Sequence, residues 1–139
     1  MEPIEEVIHA VSSITQVPRD QFATVRHALE TTFEGEVQGY MAAKLDQTDG
    51  LLIGAADELY FVRYDGRLEV TFLSHLRGGR LVETTYGARG AMDQVGELAT
   101  TVLYEHPQGR LDLDVGSWQQ DKFAPIRARL REWAKTPTR

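Results

Sequence analysis

The chain has 139 residues and a formal net charge of −6, with 42% hydrophobic and 26% charged residues. This length and composition are typical of one globular domain that is large enough to bury a hydrophobic core. Cysteine is absent, which excludes disulfide bonds, thiolate metal sites and cysteine nucleophiles. A cysteine-free sequence is also compatible with a reducing compartment.

The N-terminal segment favours a cytoplasmic location. Glu2, Glu5 and Glu6 stand where a secretory signal carries positive charge, and no apolar run reaches the roughly 18 residues of a membrane span. Basic residues are concentrated at the other end, where residues 122–139 hold six basic residues and one acidic residue. Because the rest of the chain is acidic, we expect no nucleic-acid binding, which requires a basic face.

The periodicity of apolar residues predicts two helices at the start, over residues 3–15 and 18–33. The first has an apolar stripe at helical spacing, formed by Ile4, Val7, Ile8, Val11 and Ile14. Two alternatives remain for this stripe: it packs on its own domain, or it is a detachable arm that mediates self-association. We assign residues 1–34 to an N-terminal helical extension, residues 35–134 to a β domain with a C-terminal helix, and residues 135–139 to a frayed tail.

Strand-period alternation predicts seven strands in succession, at residues 36–45, 51–55, 59–64, 68–73, 81–86, 98–105 and 110–115. Asp65 and Gly66 between two alternating apolar runs are a strong hairpin signal. Asp57 and Glu58 mark another turn. Residues 87–97 are polar and rich in glycine, and we expect a long loop there.

The chain closes with a predicted helix whose start has two alternatives. Ser117 is one candidate N-cap, with Gln120 as its capping-box partner. Asp121 is the other, since Pro125 would otherwise lie deep inside the helix. We expect inward-facing positions of the strands and of this helix to form one core, made of Leu59, Phe61, Val70, Phe72, Leu111, Leu113, Phe123, Ile126 and Leu130.

Seven strands in a meander followed by one helix resemble the bacterial pleckstrin-homology-like (PH-like) domains. The segment GLLIGAADELYFV at residues 50–62 is similar to a strand–turn–strand pattern of that family, and residues 68–75 and 110–133 match later parts of it. The chain departs from the pattern at Ala55, where threonine is usual, and at Glu58, where a basic residue is usual. The resemblance covers about residues 28–133.

The resemblance implies an α+β fold, mainly antiparallel β: a seven-stranded sandwich or partly open barrel capped by a C-terminal helix, here with two N-terminal helices. It implies a non-enzymatic interaction module that self-associates or binds a protein partner, without a cofactor. Two other classes remain open, a small acidic dimeric chaperone of the secretion or folding type and a small enzyme.

Side chains that carry chemistry are scattered along the sequence. The four histidines show no spacing typical of metal ligands, and no nucleophile stands in a recognisable relation to a base. Asp112 and Asp114 share one strand face, which is typical of a solvated face and compatible with a carboxylate pair. We expect no catalytic, cofactor or metal site. The acidic segment at residues 45–49 argues against phosphoinositide binding.

The candidate interaction surface combines the two ends of the chain. It consists of the first-helix residues Ile4, Val7, Ile8 and Val11 and of Arg127 and Arg131 in the last helix. In a self-associated form, we expect those arginines to meet the acidic residues of the first helix of another copy. Contact of the basic helix with an acidic lipid surface is the alternative, and we do not expect it.

Overall fold

The computed structural model describes residues 3–34, 36–89, 95–116 and 119–135. Within these residues the chain forms three α-helices, α1 (Pro3–Thr15), α2 (Phe22–Phe33) and α3 (Gln120–Lys135). Seven strands lie between α2 and α3, and their bounds are β1 Val37–Leu45, β2 Thr48–Ala55, β3 Glu58–Tyr64, β4 Leu68–Phe72, β5 Arg80–Arg89, β6 Val95–His106 and β7 Gly109–Val115. Short 3-10 turns precede α2 and β5.

All seven strands belong to one antiparallel sheet with the order β4-β3-β2-β1-β7-β6-β5. The sheet is not closed, because β4 and β5 are its two edges. The expected fold class is therefore confirmed: an α+β chain with a seven-stranded antiparallel sheet, a C-terminal helix and two N-terminal helices.

The turn between β1 and β2 is tighter than the sequence suggests. Asp46 and Gln47 both have positive φ, 49° and 70°, as in the two-residue turns that match strand twist. The Asp46 carboxylate accepts a hydrogen bond from the backbone N–H of Arg110 (3.0 Å), and the Asp46 N–H donates to the Arg110 carbonyl (2.9 Å). These bonds join the β1–β2 hairpin to β7 and so connect the two halves of the sheet.

One face of the sheet packs on α3. The α3 side chains of this core are Phe123, Ile126, Leu130 and Trp133, which meet side chains from strands β1 to β3 and β6 to β7. The helix approaches β1 very closely at Gly39, where a Cβ atom would lie 2.5 Å from the Lys122 carbonyl oxygen. This position therefore accepts only glycine without a shift of the helix.

The other face packs on α1 and α2, but only over part of its width. Leu51 and Ile53 of β2 and Val62 of β3 lie in this second core, together with the apolar stripes of α1 and α2. Leu52, between them in sequence, points to the α3 side. Strand β2 is thus buried on both faces, and helices α1 and α2 share a core with the sheet.

The prediction of a single core is correct for seven of its nine residues, which lie together beside α3. It is wrong for Val70 and Phe72. Val70 is half-buried on the opposite face, against the second core. Phe72 is 59% exposed, because β4 lies at the edge of the sheet and β3 is its only strand neighbour.

The predicted loop at residues 87–97 is also wrong where the structure describes it. Strand β5 continues to Arg89 and β6 begins at Val95, so residues 87–89 and 95–97 lie in two paired strands, and residues 90–94 lie outside the described residues. Helix α3 begins at Gln120 and contains both Asp121 and Pro125, so Asp121 is not its cap. Of the predicted tail at 135–139, Lys135 is the last residue of α3, and residues 136–139 lie outside the described residues, as does Ser117.

Truncation of the α3 face tests how this helix supports the fold. We expect Phe123→Ala or Leu130→Ala to lower the free energy of unfolding by about 2–5 kcal/mol, because each leaves a cavity at a fully buried position. Equilibrium denaturation measures the loss. Phe72→Ala is the matched control, since its exposed ring leaves no enclosed cavity, and equal losses in all three variants would contradict the packing described.

A second substitution tests where the α1 stripe is buried. Ile8 is 4% exposed in the second core, so Ile8→Ala should cost about 2–5 kcal/mol of stability without changing the mass in solution. Light scattering and denaturation measure the two quantities, with the exposed His9→Ala as control. A reduced mass at unchanged stability would mean that the stripe contacts another copy of the chain.

Candidate interaction surface

The apolar part of the expected surface is buried within the chain itself. Ile4, Val7, Ile8 and Val11 are each at most 7% exposed. They cover the apolar second face of β2 and β3, which would otherwise lie open to water. Of the two alternatives for this stripe, the structure has the one in which α1 packs on its own sheet, and these four residues are not a docking surface in the folded chain.

The basic part of the expected surface is also occupied within the chain. Arg127 Nε and Arg131 Nη2 each lie 2.9 Å from a carboxylate oxygen of Glu83, which β5 presents to α3. The acids of α1 have partners of their own, since Glu5 pairs with Arg26 and Glu6 with Lys122. Within the chain, Arg127 and Arg131 therefore bind Glu83 and hold α3 against β5, and their expected pairing with the α1 acids of another copy stays a prediction.

A second charged cluster holds the same half of α3 against the turn between β2 and β3. Arg77 pairs with Glu58 at 2.5 Å and lies 5.2 Å from the centre of the Trp133 ring. Arg129 donates to the backbone carbonyl of Glu58 at 3.0 Å. Glu58, the position that departs from the PH-like pattern, thus helps to anchor α3 on the turn between β2 and β3.

Asp112 and Asp114, the two carboxylates that share one face of β7, each bind a neighbouring polar side chain. Asp112 is bound by the Arg110 side chain, with the closest oxygen 3.1 Å from Nε, and Asp114 accepts a hydrogen bond of 3.4 Å from Thr101. Neither is joined to a histidine or a serine by a described bond. Among the described residues, no group of three or more histidine or acidic side chains is placed to hold a metal ion.

A groove of about 350 Å³ runs between α1 and β1. Tyr40 lies in it, and the Lys122 ammonium at its end is 5.2 Å from the Tyr40 ring centre and 3.3 Å from Glu6. Burial and the nearby Glu6 raise the pKa of the Tyr40 phenol, while Lys122 lowers it. Because Glu6 already neutralises Lys122, this arrangement joins α1 to α3 and presents no unmatched charge to a ligand.

Strand β4, one of the two edges of the sheet, has an exposed backbone edge and an exposed aromatic side chain. Of the described elements, only β3 packs extensively against it. Phe72 is 59% exposed, and its ring lies 5.0 Å from Tyr60, which in turn lies 5.1 Å from Phe33 of α2. This row of rings runs from the second core to the surface and holds the exposed aromatic ring in place.

Along β4, successive residues direct their backbone N–H and C=O groups alternately to β3 and to the open edge. Leu73 N–H donates to the Leu59 carbonyl and Asp65 N–H donates to the Arg67 carbonyl, and both bonds lie on the register that pairs Val62 with Val70. Because bonded and non-bonded pairs alternate in antiparallel ladders, Glu69 and Thr71 direct their N–H and C=O groups to β3. The residues that direct theirs to the open edge are Leu68, Val70 and Phe72.

The two edges of the sheet differ in how they are protected. Edge strands are commonly protected by inward-pointing charges, lysine, proline or bulges. Strand β5 has an inward-pointing charge, Glu83, held by two arginines of α3. Strand β4 has neither lysine nor proline, and its register with β3 is uninterrupted. Glu69 is its only charged residue and is bound to Arg63.

Sequence reasoning missed this surface because LEVTF has the alternation of a half-buried core strand. The strand order, which sequence periodicity does not contain, places it at the edge. Predicted strand length gave no signal either, because the sequence predicts six residues for this strand and five for the strand at 51–55. In the structure β4 is the shortest strand, with five residues where the others have seven to twelve, and short strands are common at edges.

Comparisons with known proteins add no family. A scan against protein-family models, a search of curated proteins and a search of solved structures found no match to this chain. None of the helices in the described part of the chain has both the length and the apolar character needed to cross a membrane.

The buried Tyr104 hydroxyl is a structural group with a testable pH signature. It donates to the Leu76 carbonyl (2.6 Å) and accepts from the Gly79 N–H (2.8 Å). Burial raises the pKa of this phenol above its ordinary value of 10.0, against the opposing effect of the Gly79 bond. A Cβ atom at position 79 would lie only 2.6 Å from carbon atoms of the Tyr104 ring. Gly79 therefore leaves the space that the ring occupies.

We expect Tyr104→Phe to cost about 1–3 kcal/mol at neutral pH, because two backbone groups lose their partner. Above about pH 10 the unfolded chain releases the Tyr104 proton before the folded chain does, so the stability of the parent falls as pH rises. The variant should lose less stability over that range. Denaturation curves from neutral to alkaline pH measure the difference, and parallel curves for both proteins would contradict it.

Proposed function

We propose that this chain is a non-enzymatic interaction module of the bacterial PH-like type, which binds an extended segment of a protein along β4. The single observation that carries the proposal is the open edge of β4, where three residues present unpaired backbone groups beside an exposed phenylalanine. The resemblance of residues 50–62 to PH-like domains, and the strand meander followed by a C-terminal helix, support the family part of the proposal.

The physical basis is strand addition to a sheet. Main-chain hydrogen bonds supply affinity when an extended segment joins an open edge, and alternate side chains supply specificity. Leu68, Val70 and Phe72 offer an apolar row on one face, whereas Glu69 and Thr71 offer polar groups on the other. The favoured ligand is thus an extended segment with apolar residues at alternate positions.

Other partners are less well supported by the described charges. Arg127 and Arg131 are both bound to Glu83, and the β1–β2 turn carries Asp46, so phosphoinositides, anionic membranes and nucleic acid are not the proposed partners. The proposed location is the cytoplasm, because a chain without cysteine does not depend on an oxidising compartment for disulfide bonds.

A small acidic chaperone of the secretion or folding type is the second candidate. The open sheet favours it, since a client segment can join an unclosed sheet at its edge. The N-terminal helices do not add to this support, because their apolar stripes are already buried against the sheet. Both candidates use the β4 edge, and they differ in whether the bound protein is later released for folding or export.

Peptide binding tests the proposal. Short extended peptides with alternating apolar and polar residues should shift the NMR amide signals of β4, most strongly at Leu68, Val70 and Phe72. Phe72→Lys should abolish the shifts, because a charged edge residue opposes strand addition. Val82→Lys is the matched control, since Val82 is the other large apolar residue found exposed among those described and lies on β5.

A peptide with N-methylated backbone positions provides the second control, since it keeps its side chains but loses hydrogen-bond donors. It should not bind. Amide shifts that instead follow the groove between α1 and β1 would overturn the assignment of the recognition surface to β4.

A further inference from the structure

We infer that the strand received by β4 is β4 of a second copy of this chain, paired antiparallel about a two-fold axis at Val70. The inference rests on the proposed function, that β4 accepts an extended segment, and it names the partner. The reason is that one register pairs all the free backbone groups of the two strands and also places apolar side chains opposite apolar side chains.

The backbone allows one register that uses every outward-facing residue. Leu68, Val70 and Phe72 direct their N–H and C=O groups to the open edge. When Val70 lies opposite Val70 of the second copy, Leu68 lies opposite Phe72 and Phe72 opposite Leu68. All three are then bonded pairs, with about six N–H···O bonds across the axis. A shift by two residues in either direction leaves only two such pairs.

The side chains are complementary in the same register. On the face of the second core, each copy contributes Leu68, Val70 and Phe72, so apolar residues meet apolar residues across the axis. The exposed Phe72 ring is covered by this contact. On the other face, Glu69 lies opposite Thr71 of the second copy, so no two like charges stand directly opposite each other.

The rest of the chain prepares this contact and limits it to two copies. The stacking of Phe72 on Tyr60, and of Tyr60 on Phe33, holds the exposed ring before association. In the joined sheet, both outer edges are β5 strands, whose inward Glu83 is held by Arg127 and Arg131. A two-fold axis uses the same patch on both copies and closes the assembly at a dimer.

Mass in solution is the first measurement. Five residues a side make a small interface, so we expect a concentration-dependent dimer. Phe72→Lys should be monomeric at concentrations where the parent and the control Val82→Lys are dimeric, and circular dichroism should show that all three are folded. A parent that stays monomeric up to roughly 1 mM, or a Phe72→Lys variant that remains dimeric, overturns the inference.

Disulfide formation tests the register, because the parent chain has no cysteine. Glu69 and Thr71 of opposite copies would form a non-bonded pair with Cα atoms about 4.5 Å apart, within disulfide range. A mixture of the Glu69→Cys and Thr71→Cys variants should therefore give the mixed disulfide under mild oxidation. Each variant alone should not, since identical positions lie more than about 7 Å apart across the axis.

The same experiments separate this inference from the function on which it rests. Concentration-dependent mass, its loss in Phe72→Lys and a disulfide that forms only in the mixture support the dimer. A monomer whose β4 amide signals still shift with extended peptides overturns the dimer and leaves the proposed function intact. A monomer without such shifts overturns both, and disulfides that form equally well in each variant alone overturn the register.

Discussion

Strand β2 is buried on both of its faces, and the positions of all three helices depend on that constraint. Leu52 points into the core beside α3, whereas Leu51 and Ile53 point into the core beside α1 and α2. A strand with apolar side chains on both faces must be covered twice, since each uncovered face would leave large apolar surface in water. The N-terminal helices therefore belong to the packing of the sheet, and their removal would expose it.

This double coverage explains where the chain is free to meet other molecules. The helices use their apolar stripes on the sheet, and the arginines of α3 are bound to Glu83 and to the carbonyl of Glu58. Among the described residues, the sheet also leaves two edges open, because it does not close. The β5 edge carries the inward-pointing charge of Glu83, whereas the β4 edge carries the exposed ring of Phe72. Strand addition is therefore more favourable at β4 than at β5.

The charges of the C-terminal helix show how local pairing changes the meaning of a sequence pattern. Six basic residues in the last eighteen suggest an electropositive surface. In the fold, Lys122, Arg127 and Arg131 face acidic side chains that lie far away in sequence, Glu6 and Glu83. These three basic side chains are therefore bound to acidic side chains of the same chain, and the pairs help to position the helix. Exposed pairs of this kind contribute little each, so they orient the helix while Phe123 and Leu130 stabilise it.

The sequence by itself determined the local structure of most elements, including α1 over residues 3–15, the seven strands and the inward positions of Leu59, Phe61 and Leu111. Periodicity and turn residues carry that information because helices and strands repeat at fixed intervals. Tertiary structure alone decided which face each apolar residue meets, which strands lie at the edges and which charges find partners. The reason is that LEVTF has the same alternation in the middle of a sheet as at its edge. Only the order of the strands, set by contacts distant in sequence such as Asp46 with Arg110, leaves Phe72 exposed and Glu83 enclosed.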